Sequence, residues 1–375
     1  MRFLRLFTKG FFLTVNIIVM LFFLVACLAP FVSPVQWWPI SFFTLLFPIL
    51  LLALFLFFIC WLLFDYKYCL LSLLAIVIGW KSISAFIAFN FPSTSKQLAA
   101  PAGSLSVMSY NVAQFGLYRE KDSKYTRQAM FALIKKQELD VVCFQDFYTS
   151  EKKNDFNNRE DISHEMHLPY RYFSSDFNRG GMQHWGSIIY SRYPIIKSDK
   201  IKMSTGPRSE SLIYADIVKD SDTIRIINMH LASYRFDQRD YHNIQKIKNQ
   251  EDSGLVATRN IIEKMKDAYV GRARQAIVVA DFIKTSPYRT IVCGDFNDTP
   301  ASYTYFTIRG SLQDAFLQKG SGIGRTFAGL APTLRIDYIF FDKSMEVNSY
   351  RKINSDLSDH YPVIANFSLR ATHAK

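Results

Sequence analysis

The sequence predicts an α/β domain carried behind an N-terminal helical membrane region, and three features of the chain lead to that class. From Gly10 through Phe64 there is no charged residue, whereas from Pro92 onward charge is frequent and apolar runs shrink to strand length. In that later part, strand-like runs alternate with helical ones, as in a single α/β domain. Several of those strands also run directly into a polar or ionisable residue. The hydrophobic share of the 375 residues is 49%, with 33 Phe, which excludes a disordered chain, and the lack of repeats excludes a solenoid or propeller array.

A spanning helix needs about 20 apolar residues to cross roughly 30 Å of hydrocarbon. Residues 11–29 and 40–64 meet that length, with Pro30, Pro34, Gln36, Trp37 and Trp38 forming an interfacial turn between them. Residues 69–91 are a third predicted span, although Lys81 near its middle costs about 2.5 to 3.5 kcal/mol on insertion scales unless its head snorkels to the interface. The membrane region is therefore placed at residues 1–91. Arg2, Arg5 and Lys9, with Lys67 in the second loop, put the N-terminus in the cytoplasm. Three spans then leave the C-terminal domain extracytoplasmic, in the periplasm if the source is a Gram-negative bacterium. If Lys81 keeps the third segment out of the bilayer, the domain faces the cytoplasm. A cleaved signal peptide competes for the first segment, but no small-x-small cleavage site follows it. Residues 92–104 are small, polar and proline-bearing, a linker, and 105–371 form the soluble domain.

Within that domain Leu105 to Asn111 reads as a strand, Lys124 to Glu138 as a helix with Met130, Leu133 and Ile134 on one face, and Asp140 to Phe144 as a short apolar strand. Further strands are predicted at Gly186 to Tyr190, Leu212 to Ile217, Thr223 to Met229, Thr290 to Cys293, Ile336 to Phe341 and Val363 to Leu369. Tyr241 to Ser286 reads as largely helical, with a break at Ser253 and Gly254. Cys143 and Cys293 sit inside apolar strands and behave as small hydrophobes. No disulfide framework or zinc spacing is present.

The formal charge is +12, from 44 Lys+Arg against 32 Asp+Glu. Residues 1–91 carry Arg2, Arg5, Lys9, Lys67 and Lys81 against Asp65, so most of the excess belongs to the soluble part. Such a balance favours anionic partners: phosphate esters, nucleic acid or acidic lipid headgroups. The residues at or just past strand ends are Asn111, Asp146, His230, Asp295 with Asn297, and Asp359 with His360 before the last strand. Loops at one sheet edge are where a rigid scaffold gathers catalytic groups. Asp337 lies inside an apolar strand, where an unpaired carboxylate is expensive, so it needs a partner such as a histidine.

The ordered set SYN (109–111), CFQD (143–146), NMHL (228–231), GDFND (294–298), RIDYIF (335–340) and SDHYPV (358–363) resembles the endonuclease/exonuclease/phosphatase superfamily, from Leu105 to about Leu369. The resemblance implies a four-layered α-β-β-α sandwich, with two facing mixed sheets, outer helices and a divalent-metal site at one edge. Hydrolysis of a phosphate ester needs an in-line water, an orienter for it, neutralised phosphoryl oxygens and help for the leaving oxygen. Carboxylate and amide oxygens suit Mg²⁺ or Mn²⁺ rather than zinc. By resemblance Asp146 is the metal ligand, with Asn111 and Asp359 assisting. Asp295 holds the attacking water, Asn297 fixes phosphate or water, and His360, oriented by Asp337, stabilises the transition state. His230 contacts the phosphate or leaving group. The superfamily usually has Glu where this chain has Asp146, one methylene shorter.

These readings converge on a membrane-anchored, divalent-metal-dependent phosphoesterase acting on a phosphodiester or phosphomonoester. Nucleic acid fits the basic helices with Lys264, Lys266, Arg272 and Arg274, whereas a phospholipid or its headgroup fits the tether. Asp146 keeps open a different class, a weakened or inactive membrane-bound scaffold that binds a phosphate ligand. Arg208 and Arg235 are secondary candidates for a phosphate clamp, while His164, His167, His184 and His242 match no motif.

Overall fold

The computed structural model of the chain describes residues 2–91, 101, 103–118, 123–153, 155–204, 210–249, 255–329 and 331–369. The chain separates into two compact units, one of residues 1–86, 232–274 and 299–307, the other of 87–231, 275–298 and 308–375. The predicted linker lies almost wholly outside the described residues, as do Arg208 and the predicted break at Ser253 and Gly254.

In the first unit α1 (Arg2–Leu28) and α3 (Ile40–Phe64) are joined through the short α2 (Pro34–Trp37), whose first turn is capped by Ser33 accepting from the Val35 amide. Phe7–Leu28 and Ile40–Phe64 have mean hydropathies of 2.8 and 2.9, long and apolar enough to cross a membrane. The third apolar segment is broken, not one continuous helix. A 3₁₀ turn at Tyr66–Tyr68 leads into α4 (Cys69–Ile78), and α5 (Trp80–Phe86) leaves at 67°. The break is at Gly79, where a Cβ would come within 2.5 Å of the Phe23 ring and 2.9 Å of Cys27 Sγ. Only a residue without a side chain lets the chain pass α1 there. The helix also stops short of the predicted end, because Ala88–Phe89 is extended as β1.

Polar contacts fix the direction in which these helices run. At the N-terminal end Lys9 pairs with Asp65 at 2.6 Å and lies 4.7 Å from the Tyr68 ring. Midway, Asn16 donates to the Ser72 hydroxyl at 3.1 Å in a buried bond between α1 and α4, and Gly79 meets α1 near its C-terminal end. The Lys81 ammonium stands 4.2 Å from the Phe31 ring and 4.9 Å from the Phe306 ring. Lys81 is therefore beside the loop that follows α1.

The second unit is built mainly of strands. In chain order come β2 (Leu105–Asn111), α6 (Ser123–Lys135), β3 (Val141–Ser150), α7 (Asn158–Glu165), β4 (Tyr170–Arg179), β5 (Gln183–Ser191), β6 (Ile195–Lys202), β7 (Ser211–Lys219) and β8 (Asp222–His230). Next are α8 (Gln238–Lys248), which belongs to the first unit, and α9 (Leu255–Lys284), which contributes residues to both. The rest are β9 (Arg289–Asp295), α10 (Tyr303–Arg309), most of which belongs to the first unit, β10 (Gln313–Asp314), α11 (Ala315–Lys319), β11 (Ser321–Gly322), β12 (Asp337–Phe341), β13 (Met345–Lys352) and β14 (Val363–Leu369). β1 pairs with β11, and α8 opens on a capping box between Asp237 and Asp240.

Two mixed six-stranded sheets form the sandwich, ordered β13-β14-β2-β3-β5-β4 and β10-β12-β9-β8-β7-β6. Alternate residues of each strand point to opposite faces. Leu105, Val107, Val141 and Cys143 meet Ile213, Ala215, Ile226, Ile291, Cys293 and Ile339 in the core between the sheets. Their neighbours Met108, Tyr110, Val142 and Phe144 pack outward under Met130, Phe131 and Ile134 of α6 and Ile162 of α7. On the other sheet Tyr214 packs against Phe282 of α9. With both faces covered, the central strands are largely buried and mostly apolar. Cys143 and Cys293 are free and buried.

Candidate active site

Strand register assembles the site before any side chain is considered. β8 runs parallel to β9 with His230 opposite Asp295, and β9 runs antiparallel to β12 with Asp295 opposite Asp337. Three ionisable residues thus stand in one row across adjacent strands. On the facing sheet the parallel pair β2 and β3 ends with Asn111 opposite Gln145.

Asp295 is the hub of this row and is buried. One carboxylate oxygen accepts from the Asn297 amide at 2.8 Å, and the other from Asn111 Nδ2 at 3.0 Å and Asn297 Nδ2 at 3.3 Å. His230 Nε2 and His360 Nε2 stand 3.5 and 3.6 Å from that second oxygen. The preceding Gly294 has φ +152, and a Cβ there would lie 2.1 Å from the Met229 carbonyl oxygen, so no other residue fits between the strands. Asn297, at φ 51, takes the left-handed conformation that Asn tolerates well, and its Nδ2 also donates to the Leu231 carbonyl at 3.0 Å.

His360 comes from the loop before β14. Its backbone is fixed by Ser358, whose hydroxyl accepts from the His360 amide at 3.2 Å and donates to the Asn111 carbonyl at 2.9 Å. Nδ1 lies 3.0 and 3.1 Å from the two Asp337 oxygens, so Asp337 has the histidine partner its buried position demanded. Burial alone would push the ring's pKa down, but the charges of Asp337 and Asp295, the bond to Asp337 and the nearby Asp359 outweigh it and hold the ring up at about 10. Burial raises the Asp337 carboxyl, against the pull of His360. At neutral pH the ring is therefore a cationic donor, fixed through Nδ1 and turning Nε2 toward Asp295.

Beneath the row a polar bridge joins the sheets. Gln145 Nε2 donates to Asn228 Oδ1 at 2.6 Å, and Asn228 Nδ2 donates to the Phe144 and Ile188 carbonyls at 2.9 and 3.0 Å. Asp146 follows Gln145 at φ 49, in the irregularity between Phe144 and Phe147. Such a bulge re-aims a side chain at a sheet end. Gln114 reaches both Asp146 oxygens at 3.4 Å and accepts from Trp185 Nε1 at 3.0 Å. On β4, next to another bulge, Asp176 accepts from the Ser211 hydroxyl. Burial pushes Asp176 up to about 6 against that bond and the charges of Lys200 and His230.

Two sets of side chains come into question as metal holders. Asp295, Asp337 and His360 have donor atoms within 4.8 Å of one another, close enough to share an ion. The same group reads as a charge-paired dyad beside an acceptor or, with the His360 ring neutral, as a holder of a cation. Asp146 is only part-buried, and its carboxylate is met by a single amide at the long limit of a hydrogen bond. With the amide oxygen of Asn111 close in register, it offers the hard oxygen donors that Mg²⁺ or Mn²⁺ takes together with water. These residues fit a divalent cation.

A family model described as the Endonuclease/Exonuclease/phosphatase family matches residues 108–360. This chain belongs to that family. The enzymes of the endonuclease/exonuclease/phosphatase family hydrolyse phosphoesters and are typically metal-dependent. A second model, a domain of unknown function, matches residues 9–86. Among solved structures, an endonuclease/exonuclease/phosphatase from Beutenbergia cavernae is 16% identical, with a TM-score of 0.52 over 71% of this chain and 72% of its own. A Bacteroides vulgatus member of the family is 19% identical, with a TM-score of 0.50 over 71% of this chain and 99% of its own. At such identities the likeness is one of fold. A search of the curated proteins finds no match.

Of the residues expected at the site, the structure brings Asn111, His230, Asp295, Asn297, Asp337 and His360 into one bonded cluster. Asp146 is joined to Gln114, and Asp359 is exposed, with one carboxylate oxygen 3.3 Å from the Ser358 hydroxyl. The sequence reading assigned nothing to Gln114, Gln145, Asn228, Trp185 or Ser358. Asn228 could have been found, since it lies two residues before His230 on the same strand. Gln114 and Trp185 meet only through the fold.

Proposed function

We propose that this chain is a membrane-anchored, divalent-metal-dependent phosphoesterase that cleaves a phosphodiester or phosphomonoester by in-line attack of water. The observation that carries the reading is the approach of the cationic His360, backed by Asp337, to a buried Asp295 that two asparagines hold in place. Asp295 is suited to orient the attacking water and take its proton, since its carboxylate is already fixed by three N–H donors. Asn297 holds the water or a phosphoryl oxygen. His360 Nε2 donates to a phosphoryl oxygen as charge builds there, and Asp337 keeps the ring oriented and charged. His230, on the other side of Asp295, contacts the phosphate or the leaving oxygen. Asp146, with Asn111 and Asp359, would hold the cation, which when bound neutralises phosphoryl charge and assists the leaving group.

The anchoring and orientation rest on the basic N-terminal flank and on the course of α1, α3 and α4, which carries the chain from the Lys9 end to the Phe31 end. On this reading the N-terminus is cytoplasmic and the catalytic domain extracytoplasmic. The decisive experiment is hydrolysis of bis(p-nitrophenyl) phosphate by the full-length protein in detergent, with Mg²⁺, Mn²⁺ or EDTA, beside Asp295→Ala. Metal-dependent turnover that Asp295→Ala lacks is expected. Turnover in EDTA equal to that in Mg²⁺, or an active Asp295→Ala, would overturn the proposal. Plasmid DNA and a phospholipid, compared as competitors, then divide the two substrate classes.

A further inference from the structure

Beside its two long apolar helices, the first unit carries a second exposed surface with apolar residues. Within it, Lys266 of α9 lies with its ammonium 5.8 Å from the Trp38 ring, and Tyr269 packs edge-on against Phe42 at 5.6 Å. Trp38 and Phe42 are at the start of α3, where a spanning helix meets water and where Trp is favoured. Lys266 and Tyr269 end a stripe whose earlier members, at helical spacings of four, three, four and three, are Leu255, Arg259 and Ile262. Leu255 is 91% exposed and Ile262 39%, and no acidic residue interrupts the stripe. A helix with apolar and basic residues on one exposed face, pinned at the level of an interfacial Trp, matches an in-plane membrane helix.

We propose that the N-terminal half of α9 lies along the headgroup surface of an anionic bilayer, with Leu255 and Ile262 at the acyl boundary and Arg259 and Lys266 among the headgroups. The inference rests on α1 and α3 being spans and is independent of hydrolysis. Its occupant is lipid because the stripe is continuous with the start of α3. The neighbouring face, toward α8, carries Asp237, Asp240, Glu263 and Asp267 against Arg239 and Lys264, an acidic excess that disfavours an anion; Leu255 stands at its edge, and Arg259 pairs with Glu263 at 2.9 Å.

The test places an environment-sensitive fluorophore on full-length Leu255→Cys, Ile262→Cys, Asn260→Cys and Leu52→Cys, each in a Cys60→Ser background. The proteins are reconstituted in nanodiscs of phosphatidylcholine with phosphatidylglycerol that contain doxyl-labelled lipid. Leu52, exposed midway along α3, reports whether the span is in lipid, and Asn260 faces away from the stripe. Quenching at 255 and 262 severalfold above that at 260, and reduced by Arg259→Glu in the anionic discs but not in pure phosphatidylcholine, is expected. Quenching at 52 with none above the 260 level at 255 and 262 would overturn the proposal. Loss of quenching at 52 would overturn the spans and the proposal with them. A response at 255 and 262 to a DNA oligonucleotide instead of doxyl lipid would overturn it in favour of nucleic acid.

Discussion

Asp295, with its three N–H donors and two imidazoles, is worth more as a fixed acceptor than as a bare charge, and this sets what substitutions around it should do. Asp337→Asn keeps the shape of the His360 partner but removes its charge, so kcat should fall by about 10²–10⁴-fold with little change in KM, as steady-state kinetics of a normally folded variant would reveal. Asp146→Glu lengthens the carboxylate by one methylene, and the metal concentration giving half-maximal activity should fall. A titration of activity against Mg²⁺ and Mn²⁺ measures this, and a rise would mean that the bulge at Phe144–Phe147 is already fitted to the shorter side chain. Asp176 lies outside this cluster and affects stability. Its pKa is raised in the folded state to about 6 from 3.8, so the native protein binds the proton more tightly than the unfolded chain does. Stability is then lost as pH rises from about 4 through 6, by on the order of 3 kcal/mol when complete. Asp176→Asn, which still accepts from Ser211, should raise the melting temperature at pH 8 and leave it unchanged near pH 4.

At the scale of elements, the strands that sequence patterning finds are the central ones. β2, β3, β8, β9, β12 and β14 are mostly apolar because both of their faces are covered. Among the strands it misses, β4, β6 and β13 are sheet edges in which exposed and part-buried residues break up any apolar run. The third apolar segment is harder to read for another reason. Its composition suits a span, but the bend at Gly79 depends on Phe23 and Cys27, which are distant in sequence. Site residues at strand ends were legible because strand pairing brings them together, whereas the contact of Gln114 with Trp185 depends on where the turn after β2 is placed. Two elements offer direct tests. Gly294→Ala forces a Cβ into the Met229 carbonyl and should cost at least about 1–3 kcal/mol along with activity, read by thermal denaturation. Asn228→Ala takes the amide donor from the buried Phe144 and Ile188 carbonyls and the shortest bond from Gln145 Nε2, which keeps Ser109 and Cys143, a loss of about 1–3 kcal/mol.

For the whole molecule, α1, α3 and α4 carry the chain three times along the first unit, from the Lys9–Asp65 end to the Phe31–Lys81 end. Val35→Cys in the loop after α1 should be modified by a membrane-impermeant maleimide in right-side-out vesicles, and Lys67→Cys only after permeabilisation. The reverse pattern would invert the proposed orientation. The row of His230, Asp295 and Asp337 has a further consequence. Because backbone pairing of β8, β9 and β12 holds it, the distance between β8 and β9 along the chain is immaterial to its geometry, and loop length costs little thermodynamically, about 0.6 kcal/mol per doubling. The exposed start of the stretch between His230 and Arg289, α8 and the first turns of α9, is thus an exchangeable port, while Leu231 and the later part of α9 stay with the site and the sheet. A chimera that replaces α8 and the first turns of α9 with another docking helix should keep its chemistry and change only its address.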